Sequence, residues 1–151
     1  MAFDLPKLVL IDLINRLVNR RRLAKVSGTP GRTQHLNFFV VNERFALCDL
    51  PGYGYAKAPE KVRAAWRPMV EGYLSQRDEL TALLLLMDIR RDPHQWEFDL
   101  AHWASHYGHT LIPVATKIDK LSASKRKPAL AKIARALGVT TSQVVGWSSV
   151  S

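Results

Sequence analysis

The sequence predicts a three-layer α/β domain with a mainly parallel sheet. Short apolar runs alternate with amphipathic stretches of helical length, the pattern of strands joined by helical crossovers. One run, TALLLLMD at 81–88, is apolar on both prospective faces, as a parallel strand covered by helices requires. Asp49, Asp88, Lys117, Asp119 and Ser148 all fall where strands end, and open α/β sheets bind ligands at those ends.

Taken in order, Leu8, Ile11, Ile14, Leu17 and Val18 recur at three- and four-residue steps, which predicts a helix over 5–25 with Asp4 as N-cap and Pro6 in its first turn. SGTPGRTQ at 27–34 is loop by composition. HLNFFVVN and RFALCDL read as two strands turned at Asn42-Glu43. After a loop over 53–60, EKVRAAWRPMVEGYLSQR reads as a helix with Pro68 its awkward member, since proline has no N–H to give the ladder. The apolar strand at 81–88 follows. RRDPHQWEFDLAHWASHYG is loop and then helix with Gly108 as C-cap, and TLIPVATKID is a strand running into a loop. SASKRKPALAKIARALG is a basic helix closed by Gly138, and QVVGWSS is a last short strand. No repeat, low-complexity tract or linker divides the chain, so residues 1–151 read as one domain.

Composition narrows the class. At 151 residues and 47% apolar content, the chain suffices for one core. Its longest apolar run is broken by Asp88, so no membrane span is expected. Asp4 and Asp12 interrupt the apolar N-terminus, and no basic stretch or small-residue cleavage site flanks it, so no secretion signal is expected. The single cysteine, Cys48, excludes an internal disulfide, suits a reducing cytoplasm, and reads as a small core residue. The net charge of +9 is uneven: residues 1–35 carry seven Lys/Arg against two acids and 117–135 seven against one, while 36–116 carry eight against ten. NRRRLAK at 19–25 and SKRKPALAK at 124–132 fit a polyanion such as RNA, or equally a solvated basic surface.

Four motifs carry chemistry. In ATKID at 115–119, Asp119 beyond a strand end can accept from guanine N1–H and N2–H₂, donors that adenine does not present, while the Lys117 stem can lie along the base. In DLPG at 49–52, Asp49 can hold a magnesium-bound water and Gly52 can give its N–H to a γ-phosphate; the alternative is an ordinary Asp-Pro-Gly turn. In TPGRTQ, Thr33 is placed to ligate magnesium from a switching loop, against the alternative of a Pro-Gly turn. Ser148 and Ser149 can present a backbone amide to the guanine carbonyl. The motifs follow one another at intervals of roughly 16, 67 and 30 residues, each at a strand end or adjoining loop. His102, His106 and His109 invite a zinc reading but lack an accompanying Glu or Cys. Trp66, Trp96 and Trp103 read as packing, and Tyr53 and Tyr55 as loop residues able to touch a partner.

TPGRTQHLNFF, DLPGYGYAKAP, MDIRRDP, ATKID and the closing WSS together resemble the EngB (YihA or YsxC) family of translation-factor-related bacterial GTPases, over roughly residues 13–151. The resemblance implies a single EngB-type G domain with a P-loop GTPase-like fold that binds GTP and GDP with Mg2+. It implies a cytoplasmic monomer, off the membrane, with ribosomal RNA or the large ribosomal subunit as partner. Its implied role is large-subunit assembly, with an effect on cell division and septation. Motif by motif, Thr33 is implied as the switch I magnesium ligand, Asp49 (also a metal ligand) and Gly52 as the switch II pair, Thr116, Lys117 and Asp119 as guanine readers, and Ser148 with Ser149 as the fifth motif. No catalytic residue is assigned: Tyr53 stands after DLPG, where Ras-like enzymes place a water-orienting glutamine.

One family motif is not found in residues 1–151. G-x-x-x-x-G-K-[ST] is expected immediately before LINRL, where FDLPKLVLID stands instead. Leu10 occupies the place of the phosphate-binding lysine and brings no charge; Ile11 occupies that of the Ser/Thr and brings no oxygen. The expectation is therefore a G domain lacking the P-loop strand and the final helix. Residues 1–25 would form an atypical N-terminal helix and 26–151 the switch and guanine-recognition regions. Nucleotide binding would be impaired and GTPase activity is left open. The competing readings are a non-enzymatic RNA- or ribosome-binding pseudo-GTPase and an inert truncated fragment.

Overall fold

Two apolar runs separated by three residues are close enough to form a hairpin, and they do. In the computed structural model, which describes residues 37–41, 45–49, 60–78 and 80–150, β1 (Asn37–Val41) pairs antiparallel with β2 (Phe45–Asp49), Asn37 opposite Asp49 and Val41 opposite Phe45. The expected helix over 5–25, the loop at 27–34, the loop at 53–60 up to residue 59 and the Asn42-Glu43 turn, with Thr33, Gly52, Tyr53 and Tyr55, lie outside the described residues, while Glu60 opens a helix. The chain divides into two units, residues 1–72 and 73–151.

The first unit holds the hairpin and most of α1 (Glu60–Ser75). Trp66 and Val70, four apart and so on one helix face, are buried at 7% and 0% exposure. Helical backbone continues through Pro68, whose ring removes one hydrogen bond without ending the element.

The second unit is a parallel sheet in the order β3 (Ala82–Asp88), β4 (Thr110–Thr116), β5 (Val145–Gly146). β3 and β4 run in register from Ala82 opposite Thr110 to Asp88 opposite Thr116. Leu83, Leu85 and Met87 point to one face and are buried, while the alternate residues are half-buried, so β3 has one dry face rather than two. β4 is buried throughout Pro113–Thr116, as befits the central strand. α2 (Gln95–His106) packs on β3, β4 and α3 (Ala123–Leu137), and inserts Leu100, Trp103 and Ala104 into the core. α3 contributes Ile133, Ala134 and Leu137.

Both glycine stops operate as the composition predicts, with a one-residue shift at the first. The C-cap of α2 is Tyr107, and Gly108 follows it at φ 75°. His109 N–H donates to Ala104 O at 2.8 Å and Gly108 N–H to Ser105 O at 3.3 Å. At the end of α3, Gly138 sits at φ 69°, Val139 N–H donates to Ala134 O at 3.0 Å and Gly138 N–H to Arg135 O at 3.4 Å. Both are Schellman closures, and both need the left-handed residue that glycine adopts without a Cβ penalty.

The last strand is shorter than QVVGWSS suggests. Thr141–Gln143 form a 3₁₀ turn, and only Val145 and Gly146 pair with β4. Pro113 supplies the reason. Thr116 O accepts from Ile89 N–H on the β3 side and Ala115 O from Trp147 N–H on the β5 side, so by alternation Pro113 faces β5. Having no N–H, it cannot extend that ladder, and pairing begins one residue later. Among the described residues, no helix is long and apolar enough to cross a membrane.

Candidate functional site

The carboxyl ends of β3, β4 and β5 converge on one cluster. β4 ends at Thr116, a buried residue whose hydroxyl donates to Met87 O of β3 at 3.1 Å. That bond satisfies the hydroxyl inside the sheet, so Thr116 pins the strand end. The chain then turns sharply at Lys117, the one non-glycine residue at positive φ among those described (φ 58°, ψ 37°). A 3₁₀ turn over Ile118–Lys120 follows, closed by Lys120 N–H to Lys117 O at 3.0 Å and Leu121 N–H to Ile118 O at 3.1 Å. Asp119 is carried on this turn, exposed at the sheet end.

The WSS segment is stitched to that turn by backbone. Trp147 N–H donates to Ala115 O at 2.8 Å, and Ile118 N–H donates to Trp147 O at 3.3 Å. A Cβ on Gly146 would lie 3.3 Å from Ile118 Cγ2, so the residue before Trp147 is kept small by this close approach. The stitching delivers Ser148, whose hydroxyl donates to Asp119 Oδ1 at 2.6 Å and accepts Val150 N–H at 3.1 Å. Lys120 Nζ stands 3.7 Å from Asp119 Oδ2. The Ser148 hydrogen bond, with some help from Lys120, holds the Asp119 carboxyl below its ordinary range and so keeps it an ionised acceptor. Ser149 is exposed beside it.

On the β3 side, Lys117 Nζ lies 3.2 Å from Asp88 Oδ2. Arg90 grips the same carboxylate three times: its backbone N–H and Nε donate to Oδ1, each at 2.9 Å, and Nη2 donates to Oδ2 at 2.7 Å. Partial burial of Asp88 opposes its charge, but the Arg90 bonds and the Lys117 ammonium outweigh it and hold the carboxyl far below the usual carboxylate range. In the sequence, Asp88 stands out by its strand-end position, but neither it nor Arg90 of MDIRRDP has a role assigned by motif. The signal was present, in an acid at a strand end with a cation two residues later.

Next to this cluster, a cavity of about 400 Å³ opens between the β3–α2 loop and α3, lined by Arg90, Arg91, Asp92, Lys125, Pro128 and Lys132 among others. Three of its four cations already face an acid. Arg90 is on Asp88; Arg91 forks onto the fully buried Glu97, which also accepts the His94 backbone N–H; Lys132 is 2.6 Å from Asp92. Arg91 also covers the Trp96 ring at 5.7 Å, while Trp66 and Trp103 are core residues. His102 and His106 stack on one another at 6.0 Å, and His109 turns away so that its ring nitrogens meet Leu80 O and Leu74 O. Among the described residues, no group of three or more potential metal ligands exists. Asp49 ends β2 in the first unit, apart in sequence from the Lys117–Asp119–Ser148 cluster of the second.

A family model described as 50S ribosome-binding GTPase matches residues 12–117. A probable GTP-binding protein EngB of Desulforapulum autotrophicum is 46% identical over 138 residues, covering 91% of this chain and 71% of that protein. The chain belongs to the EngB family. A second EngB protein, of Geotalea daltonii, is 46% identical over 140 residues, 93% of this chain and 68% of that protein. The crystal structure of a probable GTP-binding protein EngB superposes with a TM-score of 0.73 over 92% of this chain and 82% of that one, at 15% identity, which establishes likeness of fold. The α/β architecture with its parallel β3–β4–β5 sheet is thus the EngB one. ATK of ATKID, DLPG, TPGRTQ and MDIRRDP all lie within the residues matched by the family model, whereas Ile118, Asp119 and WSS lie beyond its end.

Proposed function

We propose that this chain recognises the guanine base of GTP and GDP at the sheet end, as the G domain of an EngB-type GTPase. The observation that carries the reading is Asp119 fixed on its turn by the Ser148 hydroxyl at 2.6 Å. An ionised carboxylate offers about four lone-pair positions. Ser148 takes one, leaving room for guanine N1–H and N2–H₂ together. Adenine would leave those positions unpaired, and that desolvation penalty is the source of selectivity. Lys117 supplies a stem to lie along the base, Thr116 pins the strand from which both project, and Ser148 and Ser149 close the base edge.

In the same reading Thr33 and Asp49 hold Mg2+, and Gly52 donates its N–H to the γ-phosphate. A hydroxyl and a carboxylate are the hard oxygen donors that ion takes. Bound there, it would neutralise phosphate charge. The G-x-x-x-x-G-K-[ST] cradle is not found in residues 1–151, so affinity is proposed to be weakened. The reading extends to a cytoplasmic monomer that acts in large-subunit assembly, contacts ribosomal RNA and affects division and septation, as the family resemblance implies. The +9 charge and the acid-free α3, ASKRKPALAKIARAL, support an RNA contact.

The test is a titration with fluorescent GDP and GTP in magnesium, with ATP as competitor and Asp119→Asn as control. Saturable binding that GDP displaces, ATP does not, and Asp119→Asn abolishes is the expected result. No binding up to millimolar nucleotide would sink the proposal. RNA binding that ignores nucleotide and falls steeply with salt would then favour the non-enzymatic module, for which the missing cradle motif and the basic α3 speak.

A further inference from the structure

We propose that Asp88 is a positioning residue of the base site, acting by tethering the Lys117 ammonium so that the lysine stem is held in place before nucleotide arrives. The inference rests on the guanine-reading function above and adds to it a residue pair on β3.

A lysine side chain is flexible, and one left untethered samples many rotamers that a ligand must then restrict. Lys117 is held at both ends. Its backbone is locked in the left-handed conformation between Thr116 and the 3₁₀ turn, and its ammonium is 3.2 Å from Asp88 Oδ2. Asp88 and Thr116 are register partners at the ends of β3 and β4, so the stem bridges from just beyond one strand end to the other. The tether is rigid because its anion is. Both Asp88 oxygens are occupied by Arg90, which fixes the carboxylate plane and leaves Oδ2 shared between guanidinium and ammonium.

Exposure separates this pair from an ordinary surface bridge. The side chains of Lys117 and Asp88 are each 18% exposed, whereas Lys132 and Asp92, closer at 2.6 Å, are 67% and 68% exposed. Solvent screens the second pair and its side chains remain free to part, while the first is partly withdrawn from water on a sheet end. A residue at positive φ is also an unusual choice for a plain salt bridge; it makes sense where the side chain must leave the strand in one fixed direction.

The experiment has two arms on the full chain. The first measures fluorescent GDP affinity of Asp88→Asn, Lys117→Met and the double variant. Each single change should weaken binding about tenfold, the loss of one charge-assisted hydrogen bond, and the double should be no worse than the poorer single. Thermal melting of each variant separates loss of fold from loss of positioning, since a purely structural bridge lowers melting temperature without such coupling in affinity. Affinity of Asp88→Asn within twofold of the unaltered chain, or additive losses in the double, overturns the proposal. The second arm needs no nucleotide. Lysine-ammonium NMR should show Lys117 Nζ protons slowed in exchange in the unaltered chain and merged with solvent in Asp88→Asn; an ammonium already in fast exchange overturns the tether. A protected ammonium in a chain that binds no guanine nucleotide would remove the functional reading, and with it the role given to the pair, while leaving the geometry intact.

Discussion

The hydroxyl of Ser148 donates to Asp119 Oδ1 at 2.6 Å, joining residues 29 positions apart at the ends of neighbouring strands. Neither residue defines a binding group alone. A carboxylate on an exposed turn rotates freely, and a serine near the end of a loop bonds to water. Together they make an acceptor with a set direction, because Trp147 N–H on Ala115 O and Ile118 N–H on Trp147 O hold the two loops side by side.

Removing that hydroxyl should loosen the acceptor without removing it. Ser148→Ala is expected to weaken GDP binding by about fivefold, as one hydrogen bond to a charged group would, while Asp119→Asn abolishes it. The Asp119 carboxyl should also titrate at higher pH in Ser148→Ala, because its main stabilising donor is gone. Carboxyl-selective NMR titration reads this directly; an unmoved titration would show that the hydroxyl does not orient Asp119.

Thr116 serves the same site from within the sheet. Thr116→Val keeps shape but deletes the buried hydroxyl bond to Met87 O that ties β4 to β3. Urea denaturation should show a destabilisation of about 1 kcal/mol. GDP affinity should fall as well if the strand end carries Lys117 and Asp119 as described; an affinity loss without any loss of stability would assign Thr116 a direct contact instead.

Among the described residues, Glu97 is the one charged side chain that is buried. It is fully buried and answered by Arg91 and by the His94 backbone N–H at the start of α2. Glu97→Ala opens a void and removes the side-chain acceptor of the His94 N–H, and should cost about 1–3 kcal/mol in denaturant unfolding. Asp92→Asn, which breaks the exposed Lys132 pair, should stay within about 0.5 kcal/mol. Equal effects at the two positions would contradict the burial difference.

Asp88 makes stability depend on pH in a stated direction. Its carboxyl titrates far lower in the folded chain than in the unfolded one. Between those two pKa values the unfolded state binds more protons, so stability rises with pH there. The contribution is fully present above the unfolded value, about 4, and fades as acid approaches the folded one. Urea midpoints measured from pH 6 down to pH 2.5 should fall less steeply for Asp88→Asn than for the unaltered chain; parallel slopes would remove Asp88 from the acid dependence.

Much of the second unit was legible in the chain itself. TALLLLMD marked a strand by its short apolar run, although its letters did not show that only one face would be dry. Gly108 and Gly138 marked helix ends because a left-handed closure admits glycine with least strain, and ATKID and WSS marked strand ends by position and chemistry. These are local properties, set by side-chain period and backbone freedom within a few residues. What the sequence left open depended on contacts between distant segments. That Pro113 shortens β5, that Thr116 spends its hydroxyl inside the sheet, that Ser148 bonds Asp119 by its side chain, and that Lys117 is tied to Asp88 each follow from the parallel register of β3, β4 and β5. Residue identity determined which groups could donate or accept. Only the tertiary fold decided which ones meet, because a hydrogen bond requires partners within about 3 Å, and packing across strands sets that separation.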